Sequence, residues 1–143
     1  MPSKSINHLA VWVSAIVFFV WGYVWFSVLF KNQTMALLSQ GAASGAQMNS
    51  SSPMPYIIGF LMALVLAYGT AIALADSERA SAGHGISFGL FMGVVFYAST
   101  TLTTTLFSMR PIGLWLLDVG WALIGFSLVG AIIGGWKPKA PAT

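Results

Sequence analysis

The stretch LWLLDVGWALIGFSLVGAIIGGW, residues 114–136, decides what kind of molecule this is. It is long enough to cross a bilayer, which takes about 20 mostly apolar residues. Its one charge is Asp118. A carboxylate in hydrocarbon costs roughly 3 kcal/mol or more unless it is paired, hydrated or protonated. Asp118 therefore has to be compensated, and the compensating groups are the best lead to a site.

The rest of the chain matches this stretch. Of 143 residues, 57% are hydrophobic and 6% charged, and the mean hydropathy is +0.83. A soluble domain is about 25% charged, so this chain cannot cover a water-facing surface. Charges punctuate four long apolar stretches, read as helices over 8–30, 55–75, 84–107 and 112–136. Barrel strands would be about 10 residues long and would alternate apolar with polar, and no such pattern occurs. The expected fold is an all-α membrane protein, one domain of four transmembrane helices in an up-down bundle of two antiparallel hairpins. The first apolar run is longer than the roughly 7–15 residues of a signal-peptide core, so it is read as a retained helix.

The absence of cysteine excludes disulfides and thiolate metal sites. His8 and His84 lack acidic or histidine partners at metal spacing. No metal, no cofactor and no catalytic residue is expected. The small net charge of +3 forms no basic patch for nucleic acid. An enzyme is not expected from one intramembrane acid without a base, metal or nucleophile.

Orientation follows from Lys and Arg. Lys4, Arg79, Lys137 and Lys139 fall on one side, and Lys31 and Arg110 on the other. This asymmetry places both termini in the cytoplasm and loop 31–54 outside. Within that loop, Gln33 to Gln40 is a candidate short interfacial helix.

Two kinds of pattern stand out inside the spans. Gly85, Gly89 and Gly93 recur every fourth residue, and the row continues through Tyr97 to Thr101. Such spacing lets helix backbones approach closely, which matters where lipid removes the hydrophobic drive for packing. In the fourth span, Asp118, Trp121, Ala122, Gly125 and Val129 share one face at about 100° per residue. Gly120, Ser127, Gly130, Ala131 and Gly134 form the opposite one. One face is expected to turn into the bundle, and the other to meet a second copy or another subunit.

The second pattern is polar. Asp118 lies about 9–10 Å inside its helix end. Thr100 and Thr101, from the run STTLTTT (99–105), reach about the same level in an antiparallel hairpin, as do Tyr23 and Trp25, and Thr104 is one turn from Thr100. Arg110 sits just beyond and can reach inward. Asp118, Arg110, Thr100, Thr101, Thr104 and Tyr23 are the candidate intramembrane polar site. The threonines also have a local option, bonding to carbonyls four residues back.

Three segments together resemble a known family: GYVWFSVLFKNQTMAL (22–37), TLFSMRP (105–111) and LWLLDVGWALIGFSLVGAIIGGW (114–136). They resemble the bacterial family called domain of unknown function 1761, small four-helix membrane proteins. That family's first helix carries a proline after a tyrosine–serine pair, then glycine–lysine. Phe26-Ser27-Val28 and Phe30-Lys31 depart from this, and an amide often stands at the position of Asp118. The resemblance implies the fold and a bacterial inner-membrane location, but no activity. The expected role is packing within the bilayer, as a homo-oligomer or part of a larger membrane complex. The alternative is a small-solute or proton transporter built on the polar layer.

Overall fold

A computed structural model describes residues 6–39, 53–75 and 81–136. The charges at Lys4, Asp76, Glu78, Arg79, Lys137 and Lys139 lie outside the described residues, as does most of the loop before the second span. Four helices are long and apolar enough to cross a membrane. They are α1 (His8–Leu29), α3 (Met54–Ala75), α4 (Ala82–Phe107) and α5 (Ile112–Gly135). A short helix, α2 (Lys31–Ser39), follows α1 directly.

The helix ends have local causes. Asn7 caps α1 by accepting from the Ala10 amide at 3.2 Å. Ser81 caps α4 by accepting from the His84 amide at 3.1 Å. Such oxygens satisfy backbone donors that the first turn leaves unpaired. Between α4 and α5, Met109 adopts a left-handed conformation with φ 57°. The Met109 amide donates to Leu106 and the Arg110 amide to Thr105. This is a Schellman stop, and Pro111 then opens α5.

Packing centres on α5 and is not shared evenly among the spans. Along α4 and α5 the register is antiparallel: Gly85 meets Gly130, Gly89 meets Phe126 and Ser127, and Gly93 meets Leu123. Gly134 lies against Ser81 and Gly85. The other side of α5 meets α1, where Phe18 and Trp21 lie against Gly125. Helix α3 packs mainly on α1, with a smaller contact to α5. Its row Ala63, Ala67 and Ala71 is buried with Val11, Ala15, Phe18 and Val129.

One expectation is thereby corrected. Both faces of α5 are occupied within the chain, so neither the glycine face nor the Gly125 face is left for a second copy. Gly120 also departs from its expected place. An added Cβ there would meet Trp25 of α1 at 3.0 Å, so Gly120 belongs to the α1 contact and not to the α4 seam.

The seam on α4 is longer than an ideal helix allows. A row stepping by four residues drifts about 40° per step at 3.6 residues per turn. Yet Gly85, Gly89, Gly93, Tyr97 and Thr101 all contact α5. The segment Gly93–Ala98 is π-helical. Its wider turn, closed from i to i+5, takes back part of the drift. A second π-helical segment, Trp25–Leu29, ends α1.

Candidate functional site

The two π-helical segments flank the same half of α5, the half near α2. Tyr97, from the first, meets Trp121 edge-on with centroids 6.1 Å apart. Trp25 and Phe26, from the second, reach Gly120 and Trp121. Asp118 stands one turn before Trp121. Single π turns inside helices occur frequently at functional sites.

Asp118 forms a loose ion pair with Arg110. Arg110 Nη2 lies 3.9 Å from Asp118 Oδ2, with the side chains 47% and 23% exposed. The Schellman stop makes this possible by turning the chain back sharply before α5. Arg110 then reaches down beside the first two turns of α5. The charged part of the site is thus the Arg110–Asp118 pair, and one turn along α5 Trp121 meets Tyr97.

The threonines do something else. Thr101 donates to the Tyr97 carbonyl at 2.6 Å and Thr104 to the Thr100 carbonyl at 3.2 Å. Thr100 donates in the same way to Phe96. Thr101 also accepts from Trp115 Nε1 at 3.2 Å. Thr100 and Thr104 are exposed and point away from α5. Of these three, Thr101 faces α5, where it holds Trp115.

Tyr23 is also elsewhere. It is 59% exposed and lines a cleft between α1 and α3. The depth of Tyr23 was readable from the sequence, but the side of α1 on which it stands was not. That side is set by Trp21 and Trp25. Trp21 Nε1 donates to the Trp121 carbonyl at 3.2 Å, and Trp25 Nε1 to the Leu117 carbonyl at 3.1 Å. Both indoles fasten α1 to α5, which turns Tyr23 outward.

Tyr97 and Trp121 were not in the candidate site. Each carried a signal: Tyr97 continues the every-fourth-residue row, and Trp121 shares a face with Asp118. At the far end, the Asn7 side chain donates to the Trp136 carbonyl at 3.1 Å, and His8 Nδ1 bonds the Tyr68 hydroxyl at 3.0 Å. Among the described residues no three of His, Cys, Asp and Glu gather as metal ligands.

A family model described as "Protein of unknown function (DUF1761)" matches residues 9–134. No curated protein and no solved structure matches.

Proposed function

The chain belongs to the DUF1761 family, and from that footing we propose that it works by helix packing in the bacterial inner membrane, as a homo-oligomer or as an accessory subunit. The observation that carries this reading is the free face of α4. Helix α4 packs chiefly on α5, and its other side exposes Ser99, Thr100, Thr103 and Thr104. Small and hydroxylated residues are the usual material of helix–helix contacts in lipid. The glycine faces are already consumed within the chain, so a partner has this face to use. The Lys and Arg asymmetry supports cytoplasmic termini. Catalysis is not part of this reading.

The polar site is, in this reading, a fastening. Arg110 pairs with Asp118, and Thr101 with Trp115 ties α4 to α5. A second reading, a solute or proton path past Asp118, draws on the looseness of the ion pair, 3.9 Å with both partners partly exposed.

Extraction in native lipid followed by mass measurement tests the packing reading. The particle is expected to exceed one chain in protein mass. Ser99→Leu with Thr103→Leu should reduce it to a single chain without unfolding, because leucine suits lipid. A wild-type particle of one chain would refute the proposal.

A further inference from the structure

Helices α1 and α3 close tightly at one end and part at the other. At the closed end Ala67 and Ala71 are buried against Val11 and Ala15. Toward α2 the gap becomes a cleft of about 600 Å³, within the usual range of small-molecule sites, about 300–1,000 Å³. Its floor is Trp121 and Phe126, and its walls include Phe19 and Met62.

The cleft has a polarity gradient along the helix axes. Its hydroxyls belong to Tyr23, Ser27 and Tyr56. By helix rise, Ser27 and Tyr56 stand about 3 Å from their helix ends and Tyr23 about 9 Å. Phe18 and Leu66, at the deep end, are about 16–18 Å in, near the middle of the spans. The polar rim therefore lies at one membrane interface and the apolar depth at the bilayer centre.

We propose that this cleft holds the acyl chain of a phospholipid, with its ester region at the rim formed by Tyr56 and Ser27. A lipid carries the same gradient, from polar headgroup and ester to hydrocarbon tail, over the same half-bilayer distance. On the α3 wall Gly59 leaves the Phe19 ring room, since an added Cβ would meet it at 3.6 Å. This inference is independent of the partner face on α4.

Two measurements test it. The first is native mass spectrometry of protein delipidated in mild detergent and re-supplied with phosphatidylglycerol. Wild type should retain one phospholipid per chain. Gly59→Phe, which fills the slot, should lower retention about tenfold, whereas Val65→Phe on the exposed side of α3 should not. The second measurement needs no variant. Photo-cross-linking with a diazirine acyl chain should concentrate adducts on Phe19 and Met62 over Leu61 and Val65. The proposal is overturned by wild type that retains no phospholipid. A Gly59→Phe protein that stays folded and retains it equally would do the same. So would adducts spread evenly over the exposed residues of α3, or a lipid-free species of two chains.

Discussion

Gly85→Ala should destabilise the protein by about 3 kcal/mol or more, the upper range for overpacking a tight interior. An added Cβ at Gly85 would overlap the backbone carbonyl of Gly130. That neighbour is main chain and cannot swing aside, so the two helices must separate along the seam. Separation forfeits close packing from Gly134 to Gly93, and lipid supplies no hydrophobic drive to replace it. Gly69→Ala is the matched control, because nothing lies within 4 Å of its added Cβ. There the change should be neutral or stabilising by up to about 1 kcal/mol, since alanine is the better helix former. Thermal unfolding in detergent reads both. Equal tolerance would mean that α4 does not rest on α5 through glycine.

Ala67→Leu should cost about 1–3 kcal/mol, again by overpacking. Ala67 is fully buried, in one core with Val11 and Ala15 of α1. A leucine there would push α3 off α1 at the closed end of the pair. Val65→Leu, on the exposed side of α3, should stay within about 0.5 kcal/mol of wild type. Detergent melting curves of the two variants make the comparison. A mild effect at Ala67 would show that α3 is held some other way.

The spans were legible because composition leaves a membrane chain few choices. The seam was legible because glycine every fourth residue has few other uses in a lipid-embedded helix. Arg110 was legible as the partner of Asp118 because the intervening turn is short and the arm long. Rotation about each helix axis was the weaker part. Gly120 lies about 40° from Gly134 on an ideal wheel, so it was grouped with the seam. Helix α5 is clasped from two sides, however, and residues between the faces can fall to either neighbour. Tyr23 had the right depth and the wrong side, because the Trp21 and Trp25 bonds to α5 carbonyls fix the rotation of α1. The row Ala63, Ala67 and Ala71 also recurs every fourth residue, but alanine is too common in spans to stand out. The cleft was hidden because it depends on how two helices diverge, which no single stretch encodes.

Asp118 separates the fastening from a path through the membrane. Asp118→Asn keeps shape and hydrogen-bonding capacity while removing the charge. The decisive measurement is proton flux into sealed vesicles carrying purified wild type or Asp118→Asn, each checked for a normal melting transition. If Asp118 serves to hold helices, wild-type vesicles should leak no faster than protein-free ones, and the variant should fold and behave alike. A pH-driven flux in wild type that a well-folded Asp118→Asn abolishes would contradict this and make the polar site a conduit.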